Sequence, residues 1–468
     1  MIAPPRAATE APWWSALQRL LPAARLRRDA GALSDYGHDE SDYGQFPPNV
    51  VALAETAAEV AEIFKLGQRF GIPITPCGAR SGKSGGSLPL EGGIALSLEL
   101  MNQIKSISVE DLVAVVQPGV ITGEFMKAVE AKGLFYPPDP NSLAFCTLGG
   151  NIAENAGGPR ALKYGVTREY VLGLEWVLPN GEILRVGRQT IKGVAGYDLV
   201  GLFVGSEGTL GVATEITLQL LPLPKRVQTT LVLFRSVLDA ANAVSATLAQ
   251  GILPRCLELL DEICIGAVNG HGFHFAEQVG AAILAEVDGN VEEALFNELS
   301  AFGSICEANG AVETLVAQDE QQRANLWAIR RELSNSLRRL RADKVSEDIA
   351  VPRSRIPEAV QHFKKIGEEL GLTIATYGHA GDGNLHANIL FDGARERPTV
   401  ERAVERILRY TVSVGGTITG EHGIGIAKRE YLRFEQPEPL IQLQRSIKHF
   451  FDPSGVLNPG KIFPAPKG

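Results

Sequence analysis

Cysteine is scarce in this chain of 468 residues. The five that occur, Cys77, Cys146, Cys256, Cys264 and Cys306, are odd in number and form no CxxC pair. Neither a disulfide framework nor an iron–sulfur cluster is expected from them, and a reducing, cytoplasmic setting suits them best. Long apolar runs are missing as well: no stretch of about 18 apolar residues occurs, so no membrane span is expected. The first twelve residues hold three prolines and Glu10 but no apolar leader core, and read as a disordered tail. A basic excess is also lacking. Lys and Arg number 45 against 54 Asp and Glu, a net charge of −9, which argues against nucleic acid as a partner. With 45% hydrophobic and 21% charged residues, the rest reads as a soluble globular protein of two or three domains. Peripheral contact with the inner face of a membrane stays compatible with these numbers.

Histidine is nearly as scarce, eight in all, and its placement is uneven. Three of the eight fall in two glycine-rich stretches, Gly378-His-Ala-Gly-Asp-Gly-Asn-Leu-His386 and Gly420-Glu-His-Gly-Ile-Gly425. β-prone sequence flanks the first stretch, and Asp382-Gly383 favours a two-residue hairpin turn. Such a turn pairs Gly381 with Asn384, Ala380 with Leu385 and His379 with His386, placing both imidazoles on one sheet face about 5 Å apart. A helix would separate them by about 10 Å along its axis. Glu421 and His422 add a carboxylate and a third imidazole. His379, His386 and Glu421 are thus a candidate set for zinc, manganese or iron, with positions left open to water or substrate. The alternative is a group of polar turn residues. The concentration of histidine in these two stretches favours the metal.

Periodicity predicts helices over 13–24, 54–70, 122–132, 238–249, 291–308 and 357–370. It predicts strands over 72–76, 113–117, 212–220, 228–234, 256–260 and 281–287. Thr56 is placed to open the second helix, and Asn180-Gly181 to turn a hairpin over 177–184. Three glycine clusters punctuate the first half. The first runs from Pro76 to Ser87, and successive N–H groups there form a concavity suited to a pyrophosphate. It matches neither GxxxxGK[ST] nor a GxGxxG that opens a helix. The second runs from Cys146 to Gly158, after Pro137-Pro-Asp-Pro140. The third is Gly205-Ser-Glu-Gly-Thr-Leu-Gly211.

In this order and spacing the clusters resemble the FAD-binding domain of the vanillyl-alcohol-oxidase/p-cresol-methylhydroxylase flavoprotein superfamily. With Gly378–His386, Gly420–Gly425 and Gly455-Val-Leu-Asn-Pro-Gly-Lys461, they resemble its branch of D-lactate dehydrogenases, glycolate oxidase flavin subunits and D-2-hydroxyglutarate dehydrogenases. The resemblance implies an α+β fold. An N-terminal tail and helix (1–29) would precede a two-subdomain FAD-binding domain (30–225). A substrate cap (226–425) would follow, with an antiparallel sheet, helices on one side and the metal site. A C-terminal helical segment (426–468) would return to the FAD domain.

The resemblance also implies non-covalent FAD. Its contacts would come from Pro76, Gly78, Ala79, Arg80, Ser81, Gly82 and Ser84 in the first cluster. Around the second they would come from Pro138, Asp139, Thr147, Gly149, Gly150, Asn151, Ala153, Asn155, Gly157 and Gly158, and just beyond it from Tyr164, Gly165 and Thr167. Glu207, Gly208, Gly211, Val212 and Asn458 would complete the set. Ala79 and Arg80 depart from the glycine or threonine that relatives often carry there. Glu207 could serve its own loop, and Asn458 could simply shape a turn.

The activity implied is FAD-dependent oxidation of an (R)-2-hydroxy acid, D-lactate or glycolate, by hydride transfer to flavin N5. His422 would be the general base, the alternative being a fourth metal ligand or support for one. Arg330, in Leu326-Trp-Ala-Ile-Arg-Arg331, would bind the substrate carboxylate, with Arg331 turned about 100° away. The alternative is an exposed basic helix face. Ser334 and Lys344 would line the far end of the pocket, or the surface. Asn388 shares the strand side of His386, within reach of substrate or flavin. D-2-hydroxyglutarate is the nearest alternative substrate. A non-redox enzyme of the alkyl-glycerone-phosphate synthase type and a non-catalytic flavin subunit are further alternatives. Electrons would pass to a quinone, an electron-transfer flavoprotein or an iron–sulfur subunit on another chain. A homodimer is compatible with this reading.

Overall fold

Short apolar runs bounded by glycine and proline become the strands of three principal sheets. The computed structural model that shows them describes residues 12–269 and 273–465. The first sheet holds Leu26–Arg27, Val50–Leu53, Ile94–Ser97 and Ile74–Cys77 in that order, the last three parallel. Val50–Leu53 and Ile94–Ser97 are buried at every position, as parallel strands covered on both faces must be. The helix beside them, Ala57–Phe70, opens on Thr56, whose hydroxyl accepts from Glu59 N at 3.2 Å, and closes on left-handed Gly71.

The second sheet is antiparallel, in the order Ile104–Ser108, Val113–Val116, Val212–Gln219, Val171–Val177, Ile183–Gly187. The hairpin expected over 177–184 forms here, with Val177 opposite Ile183 and Gly181 at φ +82°.

The third sheet is antiparallel throughout. Its order is Ala311–Val316, Arg226–Phe234, Ala281–Gly289, Cys256–Leu260, Thr373–His379, Asn384–Phe391, Asp343–Ala350. One face packs Val232, Phe234, Leu259, Ile283 and Ile389 against helices Val237–Ala249, Glu292–Ala308, Ile356–Leu370 and Arg397–Ser413. Helices were expected on one side only. The opposite face also packs Leu231, Leu284 and Tyr377 against helices Glu262–Val268 and Glu320–Arg338. Strand alternation puts large apolar side chains on both faces here, so both need cover. The same second face carries Glu258, Asp348, His379 and His386, and there it becomes the site.

Past helix Glu438–Phe451 the chain returns to the first sheet. Asn458 N donates to Ile74 O at 2.7 Å, and Ile74 N donates to Val456 O at 2.8 Å.

Three local expectations shift. The helix expected over 13–24 is Pro12–Leu20 and stops short of Pro22, since a residue before proline disfavours helical backbone. Pro12 thus belongs to a helix, whereas the expected tail over 1–11 lies outside the described residues. Strand Asp343–Ala350 escapes periodicity because Asp343, Lys344, Glu347 and Asp348 break its apolar pattern. Among the described residues no helix is long and apolar enough to cross a membrane.

Candidate active site

His379 ends one strand and His386 lies in the next, but not opposite each other. The register pairs Tyr377 with His386 and His379 with Asn384, two residues away from the expected pairing. The turn holds four residues, 380–383, instead of two. Gly381 N donates to Leu257 O of the neighbouring strand at 3.2 Å, and Asp382 Oδ1 accepts from Asn384 N at 3.1 Å. These bonds draw the residues expected to pair out of the ladder. A shift of two keeps strand parity, whereas a shift of one would have put the imidazoles on opposite faces. The two rings therefore still share a face, with centroids 5.6 Å apart.

Glu421 Oε1 sits amid three imidazoles, 3.7 Å from His379 Nε2, 3.8 Å from His386 Nε2 and 3.9 Å from His422 Nε2. Two carboxylates that sequence reasoning missed build this cluster. Glu258 Oε1 lies 2.5 Å from His379 Nδ1, fixing the ring so that Nε2 points at Glu421. Asp348 is fully buried, and its Oδ2 accepts from Thr419 Oγ1 at 3.0 Å and from Gly420 N, Glu421 N and His422 N at 2.9 Å each. Its Oδ1 accepts from Asn384 Nδ2 at 2.6 Å. One carboxylate thus holds the loop that presents Glu421 and His422. Asp348, His386 and His422 also lie close enough to share an ion. Asp348 is already saturated with donors, so the set His379, His386 and Glu421 fits a metal better.

The electrostatics divide the imidazoles. Burial, then the neighbouring His422 and His379, hold His386 well below the usual range, and among the described residues its Nδ1 has no hydrogen-bond partner, the Asp348 carboxylate lying 3.8 Å away. Burial, with Lys83 and Lys428, also lowers His422. His379 is raised well above the usual value: Glu258 and Glu421 outweigh burial. Burial alone would raise Glu258, but His379 and Arg330 pull it down to about 2.

Arg330 is buried, with Nε 2.6 Å from Glu258 Oε2 and its guanidinium 4.6 Å from the centre of the Tyr377 ring. Neighbouring Arg331 faces the other way, into a cavity of about 460 Å³. Ser334 lines that cavity and accepts from Lys344 Nζ at 2.8 Å. Lys344 is buried behind it. Asn388 is fully buried on the expected strand side, and its amide donates to His386 O at 2.8 Å. It does not reach the cavity wall.

That cavity joins the glycine clusters to the imidazoles. Pro76, Gly78, Ala79, Arg80, Ser81 and Gly82 line it from the first cluster, and Thr147, Gly149, Gly150, Asn151 and Ala153 from the second. Glu207, Gly208, Gly211 and Val212 line it from the third, and Glu421 and His422 close the wall. Arg80 takes left-handed backbone, φ +58°, and its guanidinium lies 3.9 Å from the centre of the Tyr36 ring. Glu207 accepts from Ile424 N at 2.9 Å and Gly425 N at 2.6 Å, tying the third cluster to the far end of the Glu421–His422 loop.

The remaining expected contacts stand behind the wall. Ser84 O accepts from Ile426 N at 2.8 Å, and Asn458 Nδ2 donates to Gly86 O at 3.0 Å and Glu207 O at 2.9 Å. Asp139, near Pro138, pairs with Arg160 at 3.1 Å, and a Cβ on Gly158 would lie 2.4 Å from Asp139 O. Asn155 Oδ1 accepts from Arg168 N at 2.8 Å, and Thr167 Oγ1 donates to Ala156 O at 2.8 Å. Tyr164 OH donates to Asp288 Oδ2 at 2.8 Å, and Gly165 turns at φ +78° beside it. Gly157 passes so close to the imidazole cluster that a Cβ would lie 3.4 Å from Glu421 Oε2.

This architecture has known counterparts. The family described as "FAD binding domain" matches residues 48–187, and "FAD linked oxidases, C-terminal domain" matches residues 223–462. The chain belongs to the FAD-linked oxidase family. Within it, the chain is 42% identical to a glycolate oxidase subunit of Bacillus subtilis over 92% of each chain. It is 36% identical to a D-lactate dehydrogenase of Anaerostipes hadrus, again over 92% of each. A D-2-hydroxyglutarate dehydrogenase of Stutzerimonas stutzeri is 32% identical over 96% of this chain and 98% of its own. The protein is therefore an FAD-linked oxidoreductase of this group. Among solved structures, p-cresol methylhydroxylase superposes with TM-score 0.78 at 16% identity, covering 96% of each chain. Alkyldihydroxyacetonephosphate synthase superposes with TM-score 0.76 at 19% identity, over 98% of this chain and 87% of its own. These likenesses show a shared p-cresol-methylhydroxylase-type fold.

Proposed function

We propose that the chain oxidises an (R)-2-hydroxy acid, D-lactate or glycolate, to the 2-oxo acid, using non-covalent FAD and a divalent zinc, manganese or iron ion. The observation that carries this reading is Glu421 Oε1 amid three imidazole Nε2 atoms, at the wall of the cavity the glycine clusters line.

The residues suit both groups. The first and second clusters meet too closely for a side chain at Gly78, where a Cβ would lie 2.6 Å from Thr147 Oγ1, and the second packs as tightly on Pro118, 2.6 Å from a Cβ on Gly149. A pyrophosphate could thus approach the backbone of the first cluster closely, whereas Gly149 N and Gly150 N already donate to Pro118 O and Thr147 Oγ1. Burial pushes the Cys77 thiol up to about 12 and raises Cys146 too, so neither offers a thiolate for covalent attachment. For the metal, neutral His386 and anionic Glu421 are the correct donor forms, while His379, oriented by Glu258 but raised well above the usual value, would have to release its Nε2 proton as the ion binds. Bound in the cavity, FAD supplies the two-electron acceptor. A cation on His379, His386 and Glu421 supplies Lewis acidity toward the substrate hydroxyl.

The chain's own groups do the rest. His422, held neutral by burial, takes the hydroxyl proton at Nε2. Arg330, with Nε committed to Glu258, would keep its two terminal nitrogens for the substrate carboxylate, although Arg331 rather than Arg330 lines the cavity in this structure. The name "subunit" carried by the glycolate oxidase relative supports a separate electron-accepting chain, or a quinone or electron-transfer flavoprotein in its place. Anaerobic bleaching of the flavin band near ~450 nm tests the reading. D-lactate or glycolate, but not L-lactate, from a panel that also holds D-2-hydroxyglutarate should bleach it quickly, and chelation should stop the bleaching while FAD stays bound. Full activity in metal-free protein would refute the metal, and absence of bleaching by every acid would refute the reaction.

One observation favours D-2-hydroxyglutarate as a second reading. Among the described residues Lys344 pairs with no carboxylate, although it is buried behind Ser334. Burial first, with Lys83 and Arg338, lowers it to about 8. A second substrate carboxylate would pair with it, so KM for a dicarboxylate should rise above about pH 8 while KM for lactate stays flat. In Lys344→Met the dicarboxylate should lose that pH dependence and bind more weakly at pH 7. The unfolded chain keeps this proton up to about 10.5. Wild-type stability should therefore gain from this residue as pH rises between those values. A dicarboxylate KM untouched by Lys344→Met would exclude this reading.

A further inference from the structure

Two carboxyl groups take no part in the chemistry above. Glu154 ends the short helix Leu148–Glu154, and Glu207 lies in the third glycine cluster at φ +51°. Both line the cavity, yet they are not equivalent. Glu207 is held by the N–H groups of Ile424 and Gly425. Glu154 Oε2 is closed off from solvent and, among the described residues, has no hydrogen-bond partner. Two glycines from different loops clear the space for its carboxyl. A Cβ on Gly423, at φ +81°, would lie 2.4 Å from Oε2, and a Cβ on Gly86 3.1 Å from Oε1.

Among the described residues no N–H group holds Glu154 Oε2. Burial, then the neighbouring carboxylates of Glu207 and Asp39, raise it well above the ordinary carboxyl range. A protonated carboxyl is a donor, and a buried donor without an acceptor is destabilising unless something arrives to accept from it. Oε2 packs against Gly423, and it is the rest of this half-buried residue, which lines the cavity, that a bound molecule can reach.

We propose that Glu154 donates a hydrogen bond to a carbonyl oxygen or ring nitrogen of the flavin bound in this cavity. The inference rests on the proposed function in that FAD is the occupant. Glu154 touches Gly423, the residue after His422, so it marks the end of the cavity where the substrate hydroxyl is deprotonated. The redox-active ring belongs at that end, because reacting atoms must lie in contact. A pyrophosphate does not suit a wall made of two carboxyl groups, and the first cluster offers it N–H groups instead. Two electrons make the ring a stronger acceptor, so the O–H of Glu154 binds the reduced ring more tightly than the oxidised one.

The full chain loaded with FAD serves for the test, with flavin midpoint potential, visible spectrum, FAD affinity and melting temperature as readouts. Glu154→Gln keeps an N–H donor and should keep the wild-type potential. Glu154→Leu removes the donor, and the preference for reduced over oxidised flavin should fall about tenfold, a potential about 30 mV lower for this two-electron couple. The flavin band should shift with it. Glu154→Met, also apolar and unbranched, should repeat the result if the leucine variant folds poorly. FAD bound to Glu154→Leu and Glu154→Met with unchanged potential and spectrum would overturn the inference, as would a fall in melting temperature alone. Failure of the wild type to bind FAD would overturn the functional reading and this inference together.

Discussion

Replacing Asp348 by alanine is expected to abolish hydroxy-acid oxidation and to lower unfolding stability by about 3–5 kcal/mol. The carboxylate is fully buried and accepts five hydrogen bonds, four of them from Thr419, Gly420, Glu421 and His422. Three successive backbone N–H groups converge on one oxygen, which fixes the direction of the Glu421 and His422 side chains. Burial would raise this carboxyl, but His422, Lys428 and His386, together with Glu421 N–H, hold it well below the usual range. Alanine leaves those donors buried and unpaired, and frees the loop to move. A displacement of about 1 Å costs on the order of a hundredfold in rate, and here both the proposed base and a proposed metal ligand move. We expect kcat to fall by at least about a thousandfold. Asp348→Asn keeps one acceptor oxygen and should lose only about 10–100-fold. Urea unfolding and saturating-substrate kinetics check both, with the flavin spectrum confirming that FAD remains. An alanine variant with near-wild-type kcat would show that the loop holds itself.

The second large effect is expected at Glu258. Its carboxylate is fully buried between His379 Nδ1 at 2.5 Å and Arg330 Nε at 2.6 Å. Glu258→Gln keeps the shape and removes the carboxylate that offsets both groups most strongly, ahead of Glu421. Breaking a buried pair on one side costs about 3–5 kcal/mol, because the other charge is left uncompensated. Activity should fall about 10–100-fold or more, since orientation of the imidazole proposed to ligate and of the guanidinium proposed to bind substrate is lost together. Adding Arg330→Met removes the stranded charge. The double variant should therefore regain more than half of the lost stability and none of the lost activity. Strict additivity of the two changes would mean that the pair is not coupled.

These two acids mark where sequence reading stopped. The stretches bearing His379, His386, Glu421 and His422 were legible because glycine and histidine concentrate there. The imidazoles converge even though the hairpin register differs by two, since parity, not register, decides the face. Glu258 and Asp348 come from strands 121 and 38 residues before the imidazoles they face. Nothing local marks such partners as a pair. The signal available was an acid inside a strand whose other residues are apolar, Cys256-Leu-Glu-Leu-Leu260, which reads as core until a cation is found opposite it. The three glycine clusters foretold one cavity, but not which of their residues would line it and which would brace it. Thr167 and Asn155 brace because their side chains are taken by neighbouring backbone, a choice only the folded chain reveals.

The loop 420–425 is gripped at one end by Asp348, from the seven-stranded sheet, and at the other by Glu207, from the third glycine cluster. Three short segments more than seventy residues apart along the chain thus answer to one another. The consequence concerns inheritance. A recombination joint anywhere between 207 and 420 unites carboxylates and a loop from different parents. Working hybrids of relatives are then those in which both grips still match the loop they hold, and the two halves of this enzyme descend as a linked pair.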